Sequence, residues 1–538
     1  MRPAGRGEHD SLYFNYPYFA APLADATRTT QAQVVIVGAG PIGMTAALTL
    51  AAEGVRTLLV ERKDTFNDGS RAICISRSSY YILDRIGAVA PFLDHALGWT
   101  TGRTFYRGQQ ILEFDMPDSA NERFRPMYNL QQQYIEEFLW KAVASNPLIE
   151  TRWQTEVMGI VNATDHVTLD LRDPHGVYRL EAPWVLAADG ARSAIRTMRG
   201  LRLQGENFEG RYVIADIRMN HDYPTIRRAL FDPACRPGGT VLIHRQPKNI
   251  WRIDYQLREG ESAEEATREE TVRSSVAAVL DEIGHHGPWE LEWWSVYSAN
   301  TLALEDYRDE RIFFIGDSAH IVPIFGVRGL NNGLADAYNI GWKLGRVLTG
   351  RAEQGLLDSY TPERRGATLD VFANAAKSTR FMTPPTPGWT LMRDAALSLA
   401  LTEPWAGALA NPRQMTPYTY ADSPAVIADA DSFGQGAGLG AMLPDAALPQ
   451  GEFLSERLSL GFTLLSFGAP VAAQHVDLTV LALEPDGVAA RRLGASEGSA
   501  ILVRPDMHIG ARWTTRPAPE AVLSALAAIC AGKARSHG

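Results

Sequence analysis

Cysteine is scarce in this sequence, with three residues among 538. Cys74, Cys235 and Cys530 are widely separated and form no C-x-x-C pair. This pattern excludes a disulfide framework and a zinc or iron–sulfur site built from cysteines. Scattered, unpaired cysteines are typical of a reducing compartment, so we expect a cytoplasmic protein that holds no metal ion.

Long apolar runs and an excess of basic residues are missing too. No stretch reaches about 18 uninterrupted apolar residues, so the sequence predicts no membrane span. Lys and Arg total 52 and Asp and Glu total 62, which gives a formal net charge of −10. Such a diffuse acidic balance gives no electrostatic reason to bind nucleic acid or an anionic membrane.

The strongest motif that is present is a glycine-rich turn near the start of the chain. Val34–Val37 is a β-branched run typical of a buried parallel strand, and a helix is predicted over Pro41–Ala52. Between the strand and the first helical turn stand Gly38, Gly40 and Gly43, in the spacing G-x-G-x-x-G. This spacing in a strand–turn–helix context predicts a dinucleotide site.

Each part of the motif has a function in binding a dinucleotide. Gly38 allows a tight turn, Gly40 lets the backbone approach a pyrophosphate, and Gly43 lets the helix pack closely on the strand. The helix N-terminus offers free N–H groups to the phosphates. A second predicted strand, 56–60, ends at Glu61, where an acid can accept hydrogen bonds from a ribose diol. The motif alone does not separate NAD from FAD.

The rest of the chain has ordinary globular composition, and its length predicts two to four domains at roughly 150 residues each. The middle is rich in period-2 segments with Pro/Gly turns, which predicts a mostly antiparallel sheet inserted into the nucleotide-binding domain. The predicted segments are an N-terminal arm (1–30), the nucleotide-binding domain in two parts (31–204 and 301–380), the inserted sheet (205–300), a helical connection (381–435) and a small α/β domain (436–538). The last of these ends in a helix predicted over Pro519–Ala531.

Three motifs in this order resemble the single-component FAD-dependent aromatic hydroxylases, typified by para-hydroxybenzoate hydroxylase and phenol hydroxylase. They are the glycine-rich turn, A-D-G-A-R-S (188–193) and G-D-S-A-H…G-x-x-G-L-N (316–331). The C-terminal S-A-I-L-V-R-P-D-M-H-I-G-A-R-W (499–513) is similar to the end of the thioredoxin-like domain of the phenol hydroxylase branch. The resemblance implies an α/β fold: a Rossmann-like FAD-binding domain, an inserted substrate sheet and a thioredoxin-like domain without C-x-x-C.

The resemblance also assigns residues to FAD. Arg71 matches an arginine that reaches the FAD phosphates, although a surface ion pair is the alternative, and Gln132 matches a flavin-binding glutamine. Asp317 is expected to accept a hydrogen bond from the ribityl chain, and the backbone of Leu330 and Asn331 is expected to face the flavin. The predicted FAD-binding residues are Gly38, Gly40, Pro41, Ile42, Gly43, Glu61, Arg62, Arg71, Gln132, Asp189, Gly190, Arg192, Gly316, Asp317, Pro323, Gly329, Leu330 and Asn331.

The substrate is expected between the flavin ring and the inserted sheet. Arg252, in R-I-D-Y-Q-L, matches an arginine that meets an aromatic acid in the para-hydroxybenzoate branch. By strand alternation it shares a face with Asp254 and Gln256, and three polar groups on one face are typical of solvent exposure. The predicted substrate-site residues are Arg252, His244, Tyr212, Tyr297 and Pro323. His320 is expected to be a structural hydrogen-bonding group rather than a base.

The resemblance implies a flavoprotein monooxygenase that hydroxylates a phenolic or aromatic-acid ring with NAD(P)H and O2, through a flavin C4a-hydroperoxide. One dinucleotide fingerprint is present and FAD takes it, so NAD(P)H binds without a Rossmann domain of its own. The alternatives are a flavin-dependent oxidase or dehydrogenase of related fold, and a non-enzymatic FAD-binding protein. We expect a small aromatic substrate, FAD as the bound cofactor and a homodimer.

Overall fold

The computed structural model of the protein describes residues 1–3, 16–23, 30–67, 69, 72–258, 260–323, 326–410, 416–429, 433 and 436–533. In chain order the strands are β1 Val34–Val37, β2 Thr57–Val60, β3 Cys74–Ser76, β4 Leu97–Trp99, β5 Thr101–Tyr106, β6 Gln109–Asp115, β7 Met127–Asn129, β8 Ile149–Arg152, β9 Glu156–Asn162, β10 Val167–Asp173, β11 Gly176–Ala182, β12 Trp184–Ala187, β13 Gln204–Met219, β14 Arg227–Phe231, β15 Thr240–Arg245, β16 Ile250–Gln256, β17 Trp289–Ala303, β18 Arg308–Asp309, β19 Ile312–Phe314, β20 His320–Ile321, β21 Phe462–Phe467, β22 Leu478–Leu483, β23 Ala500–Val503 and β24 Ile509–Trp513.

The helices lie between and after these strands. In chain order they are α1 Pro41–Ala52, α2 Arg77–Arg85, α3 Ala90–His95, α4 Gln132–Ala144, α5 Ala194–Met198, α6 Ala263–Ala266, α7 Glu269–Glu282, α8 Gly329–Leu348, α9 Tyr360–Met382, α10 Pro387–Leu399, α11 Pro404–Gly407, α12 Leu454–Arg457, α13 Val488–Leu493 and α14 Pro519–Ala531. Among the described residues, no helix combines the length and the apolar character that a membrane crossing requires.

The nucleotide-binding sheet has the strand order β18-β19-β12-β1-β2-β8. β1 pairs in parallel with β2 on one side and with β12 on the other. All four residues of β1 are buried, as expected for a strand that is covered on both faces. In such sheets ligands bind at the carboxyl ends of the strands, so the turns after β1, β2 and β12 share one crevice.

The inserted sheet has eight strands in the order β20-β17-β13-β16-β15-β14-β5-β6. It takes β5, β6 and β20 from outside the predicted range of 205–300, because β5 pairs in parallel with β14 and β20 pairs with the end of β17. One face of the sheet packs its apolar side chains, among them Trp251, Ile253 and Tyr255, against Val272 and Val276 of α7. The opposite face is turned toward the nucleotide-binding domain.

The C-terminal segment forms a four-stranded sheet in the order β22-β21-β23-β24. β21 and β22 are parallel, whereas β23 is antiparallel to both β21 and β24. α14 covers one face with Val522, Leu526 and Ile529. The predicted final helix over Pro519–Ala531 has the bounds that the structure gives α14. The thioredoxin-like assignment of this domain stays a prediction.

Candidate active site

A single continuous cavity joins the nucleotide-binding domain to the inserted sheet. Its volume is about 800 Å³, and it is lined by the turns after β1, β2 and β12, by Ile315 and Asp317, by the start of α8, and by side chains of β14, β15, β16 and β17. Two regions can be distinguished in it. The outer groove runs along the strand ends, and the inner chamber lies against the inserted sheet.

The three fingerprint glycines line or support the outer groove for different reasons. A Cβ on Gly38 would lie 2.4 Å from the Ala188 carbonyl oxygen, and one on Gly43 would lie 1.9 Å from the Gly38 carbonyl oxygen. Protein packing therefore excludes a side chain at both positions. Among the described residues, a Cβ on Gly40 would meet nothing closer than the Asn67 side-chain nitrogen at 3.8 Å, so the absent side chain leaves open space in the groove.

The carboxylate of Glu61 is fixed at the end of β2. It accepts hydrogen bonds from the backbone N–H of Ala39 at 2.8 Å and from that of Lys63 at 3.0 Å. Because each carboxylate oxygen can accept more than one hydrogen bond, both contacts leave room for ligand hydroxyls. Pro41, Ile42 and Arg62 line the same groove.

The loop after β12 closes the middle of the groove. Asp189, Gly190 and Arg192 line it, and Gly190 has a φ of +79°, which favours glycine. One Asp189 oxygen accepts a hydrogen bond from the Ile195 backbone N–H at 3.1 Å. The other, Oδ1, is buried without a hydrogen-bond partner among the described residues, and burial raises the pKa of this carboxyl. A ligand donor at this point would satisfy it.

Gln132 stands at the first position of α4 and also lines the groove. Its side-chain oxygen accepts a hydrogen bond from the Ala72 backbone N–H at 3.1 Å, and its amide nitrogen donates to Glu136 at 2.8 Å. Gln132 therefore ties α4 to the segment that precedes β3. The predicted phosphate-binding Arg71 lies outside the described residues.

The third motif supplies the floor of the cavity. Gly316 has a φ of +63° and donates its N–H to Asp336 at 3.0 Å, and Asp317 is exposed along the cavity. The Nε2 of His320 contacts the same Asp336 oxygen at 2.6 Å. This contact agrees with the structural role expected from the sequence.

The start of α8 brings backbone donors to the junction of the groove and the chamber. Gly329 and Leu330 line the cavity, and the first N–H groups of any α-helix have no partner within the helix. The Asn331 side chain points elsewhere, since it accepts from the Ser76 N–H at 2.9 Å and donates to the Cys74 carbonyl at 3.1 Å. Pro323 is buried and is not among the lining residues.

The inner chamber is lined by the polar face of β16 that contains Arg252 and Asp254. The expectation that this face points to solvent is wrong, because Arg252 is 1% exposed and Asp254 is 5% exposed. The face is buried against the nucleotide-binding domain instead. Arg252 forms two parallel hydrogen bonds to Asp216 on β13, with Nε–Oδ1 and Nη2–Oδ2 distances of 2.7 Å each.

His244 and Tyr297 also line the inner chamber, whereas Tyr212 does not. Burial, together with Arg227 and Arg252, lowers the pKa of His244 to about 3, so its imidazole is neutral. The Tyr297 hydroxyl is buried without a hydrogen-bond partner among the described residues. The Tyr212 hydroxyl contacts Thr383 of the segment after α9 at 3.1 Å, which places this tyrosine behind the chamber.

Two charged groups in the chamber were not assigned from the sequence. Arg227, at the start of β14, is 6% exposed, and burial lowers its pKa to about 10. Burial raises the pKa of Asp254 to about 7 against the opposing effect of Arg252. Strand alternation places Asp254 on the polar face of β16 but assigns it no function. A signal for Arg227 was absent, because R-R-A-L-F does not show which of two adjacent arginines faces inward.

Comparison with known proteins places this site in a family. A family model described as an FAD binding domain matches residues 31–375, which is more than half of the chain. The chain belongs to this FAD-binding family. The match begins just before β1 and ends within α9, so it contains all three motifs and every strand of the inserted sheet.

Within the family, the most informative relatives are named as hydroxylases. A 3-(3-hydroxy-phenyl)propionate/3-hydroxycinnamic acid hydroxylase of Klebsiella pneumoniae (strain 342) is 28% identical over 364 residues, which are 68% of this chain and 64% of that protein. The hydroxylase of the same name from Mycolicibacterium smegmatis is 29% identical over 335 residues, or 62% of this chain and 58% of that protein. The chain thus matches less than two thirds of either relative's length.

Solved structures establish the fold. The crystal structure of the flavin-dependent monooxygenase PieE, in complex with FAD and substrate, has a TM-score of 0.77 and is 23% identical. The likeness covers 92% of this chain and 99% of that chain. The predicted α/β fold with an FAD-binding domain is therefore confirmed.

The outer groove fits the FAD that this family binds. The space beside Gly40 and the first N–H groups of α1 would hold the pyrophosphate. Glu61 would hold the adenosine ribose, and the unpartnered Asp189 Oδ1 is available to a ligand donor in mid-groove. The start of α8 would face the pole of the flavin ring that becomes negative on reduction, where N–H donors and a helix dipole stabilise charge.

Proposed function

We propose that the protein is an FAD-dependent monooxygenase that hydroxylates an aromatic ring, with NAD(P)H and O2 as cosubstrates. When FAD is bound, the chemistry it supplies is hydride acceptance from NAD(P)H and transfer of one oxygen atom from O2. The observation that carries the proposal is the continuity of the cavity. A cofactor held in the outer groove would reach toward the inner chamber, and residues of the chamber would hold a small substrate beside it.

The residues of the inner chamber support an aromatic substrate with polar substituents. Leu242, Trp99 and Val327 give it apolar walls, while buried Arg227 and Asp254 and the buried hydroxyl of Tyr297 bring polar groups to the same space. Apolar walls with a few placed polar groups are the usual composition of a site for a drug-sized ligand. The apolar walls also exclude water, which protects reactive intermediates from side reactions.

The named relatives support a substrate that carries both a ring hydroxyl and a carboxylate, because both are hydroxylases of 3-(3-hydroxy-phenyl)propionate. Arg252, the carboxylate anchor expected from the sequence, has its Nε and Nη2 donors engaged by Asp216. The proposed substrate class is therefore the hydroxylated aromatics in general, with the ring hydroxyl as the shared group.

The experiment is a screen of the purified holoenzyme with NADH and NADPH separately. Flavin reduction and O2 uptake are followed with phenol, 3-(3-hydroxyphenyl)propionate and 3-phenylpropionate, which lacks the ring hydroxyl. We expect hydroxylated ligands to speed flavin reduction and to give a product with one added oxygen. Reduction by a small molecule without any nicotinamide would identify an oxidase or dehydrogenase instead.

We also propose that the protein acts in the cytoplasm as a homodimer. Support for the compartment comes from Cys74, Cys235 and Cys530, which are free thiols in the structure. For the dimer, we propose that the C-terminal domain, which lacks C-x-x-C, serves as an oligomer contact. Light scattering of the purified holoenzyme tests it, and a monomeric mass would contradict it.

A further inference from the structure

Two opposite charges in the inner chamber are buried without partners. The Arg227 guanidinium makes no hydrogen bond or ion pair with any described residue. The Asp254 carboxylate makes none either, and its Oδ1 is buried. A buried charge without a partner is costly, and both of these residues line the cavity. The arrangement indicates a ligand that contacts both.

The strand register places these two groups on one wall. Arg227 lies in one cross-strand row with His244, Arg252 and Asp216, which stand on the next three strands of the sheet. Asp254 lies one row further, opposite Leu242 on β15. Neighbouring strands are about 4.8 Å apart and same-face residues about 6.7 Å apart along a strand. The two Cα atoms are therefore about 12 Å apart, a span that an arginine side chain and one ligand oxygen can bridge.

Every element around Asp254 contributes a group that affects its charge. Arg252 on its own strand and Arg227 on β14 favour the carboxylate, whereas Asp216 on β13 opposes it. His244 on β15, Tyr297 on β17 and Cys74 on β3 line the same chamber. Burial raises the pKa of the Cys74 thiol to about 12 and that of the Tyr297 phenol well above its usual range. Asp254 is therefore the group of this set that titrates near neutral pH.

We propose that Asp254 and Arg227 together receive the ring hydroxyl of the substrate, with the carboxylate as proton acceptor and the guanidinium as the group that holds the phenolate oxygen. This inference rests on the proposed function. In the step, the phenol O–H bond breaks and an O–H bond forms on Asp254. The electron pair stays on the phenolate oxygen, which pairs with Arg227. An aromatic ring attacks an electrophilic oxygen better as the phenolate than as the phenol.

Charge balance favours a hydroxyl over a carboxylate at this point. With Asp254 ionised, the unpaired couple is neutral overall. Proton transfer from a neutral phenol leaves the net charge of Arg227, Asp254 and the ligand at zero, because Asp254 becomes neutral as the phenolate forms. A carboxylate bound to Arg227 would instead add a second negative charge beside Asp254, and like charges in a low-dielectric site repel strongly.

The first test measures binding of 4-fluorophenol to the holoenzyme by 19F NMR between pH 5.5 and 8.5. The methyl ether 4-fluoroanisole and the acid 4-fluorobenzoate serve as comparison ligands. We expect the Kd of 4-fluorophenol to fall about tenfold as Asp254 ionises, because a hydrogen bond to a charged acceptor is stronger than one to a neutral group. The ether should show no such change, and the acid should bind more weakly as the pH rises.

Variants separate the two groups. Asp254→Asn should remove the pH dependence for 4-fluorophenol, and its control is Tyr255→Phe, on the opposite face of the same strand. Arg227→Gln should raise the Kd of 4-fluorophenol about tenfold at every pH. The control for it is Arg228→Gln, since Arg228 stacks on Tyr223 at 3.7 Å. FAD content reports that each variant is folded.

A catalytic readout distinguishes a base from a simple hydrogen-bond acceptor. With a substrate that is turned over, kcat/KM should rise with pH through about pH 7, and Asp254→Asn should lower kcat by about 10²- to 10⁴-fold. Should 4-fluorophenol follow the predicted pattern while no aromatic is hydroxylated, the proposed function fails and this assignment stands.

Three outcomes would overturn the inference. They are a flat pH dependence for 4-fluorophenol in the wild-type protein, no effect of Asp254→Asn in a protein that turns over phenols, and tighter binding of 4-fluorobenzoate than of 4-fluorophenol at pH 8.5. The first needs no variant, so the inference can be rejected even where a substitution prevents folding.

Discussion

Single residues in the cavity are held in states that cost folding free energy and that a ligand would relieve. Gly40 leaves space that no other described residue fills, and Asp254 is a buried carboxylate without a hydrogen-bond partner in that same part of the chain. Active sites commonly carry such features, because selection for function tolerates a local loss of stability. Two predictions about stability and binding follow at this scale.

The first concerns the stability cost of Asp254. Its pKa rises from an ordinary value of 3.8 to about 7 in the folded protein. Between these pH values the unfolded chain has lost the proton and the folded chain keeps it, so the free energy of unfolding falls as the pH rises. Asp254→Asn should therefore stabilise the holoenzyme more at pH 8 than at pH 5, by a few kcal/mol at most. Denaturant unfolding of both proteins at both pH values checks this, and an equal difference at pH 5 and pH 8 would contradict it.

The second concerns Gly40. Gly40→Leu should lower FAD affinity at least about tenfold, or ~1.4 kcal/mol, because the side chain occupies the pyrophosphate space. The apoprotein should unfold at nearly the same denaturant concentration, since the backbone at Gly40 has an ordinary negative φ. Gly43→Ala is the matched comparison and should destabilise the apoprotein itself. FAD titration and unfolding of each apoprotein measure the two effects, and full FAD affinity in Gly40→Leu would refute the assignment of this turn.

At the scale of elements, a buried ion cluster joins α8 and α9 to the C-terminal sheet. Glu363 of α9 contacts Lys343 of α8 and Arg504, just after β23, at 2.6 Å each. Arg504 also pairs with Asp506. Burial opposes the charge of Glu363, but Arg504 and Lys343 outweigh it and hold the pKa of this carboxyl below its usual range. The cluster fixes the C-terminal domain on the FAD-binding domain.

Removal of one charge should therefore leave the others unbalanced. Glu363→Gln is expected to destabilise the protein by about 3–5 kcal/mol, as for other buried pairs that lose one partner. The exposed pair Glu353–Lys533 provides the control, and Glu353→Gln should change stability by about 1 kcal/mol or less. Thermal unfolding of the two variants decides between these values, and similar small shifts in both would show that the cluster contributes little.

Elements whose contacts are local could be predicted from the sequence, and those set by distant partners could not. Val34–Val37, the helix at Pro41 and the final helix over Pro519–Ala531 follow from apolar period and proline position. The parallel pairing of β5 with β14 joins segments more than a hundred residues apart, and no local pattern records it. For the same reason strand alternation predicts the two faces of β16 correctly, but does not show that both of them are covered.

The predicted site shows the same division. Motif residues such as Glu61, Asp189 and Asp317 line the cavity, because their motifs fix them at strand ends. Arg227 carries no motif, and its inward orientation depends on the register between β14 and β15. Tyr212 shares the cavity-side face of β13 but is covered by the segment after α9, a tertiary contact that strand period cannot predict.

At the scale of the whole molecule, the chain combines an FAD-binding domain, an inserted sheet that closes the cavity and a C-terminal domain remote from it. Cys530 is the one cysteine of that last domain, and a thiol–disulfide couple needs two. Burial raises the pKa of its thiol to about 11, so it stays protonated.

The C-terminal domain is accordingly expected to perform no redox chemistry. Cys530→Ser should leave kcat/KM unchanged within about twofold, because the residue lies on the buried side of α14, in the core of the C-terminal domain, and does not line the cavity. Steady-state turnover with the substrate identified by the screen measures this. More than a tenfold loss, in a variant that retains FAD, would assign the domain a part in catalysis.

The central claim is that the cavity brings a flavin and an aromatic ring together for oxygen transfer. It is tested most directly by turnover under 18O2 in unlabelled water, with mass spectrometry of the product. We expect one 18O atom in each hydroxylated product molecule and one NAD(P)H consumed for each. Product oxygen that comes from water, or O2 consumed to hydrogen peroxide with every aromatic unchanged, would contradict it.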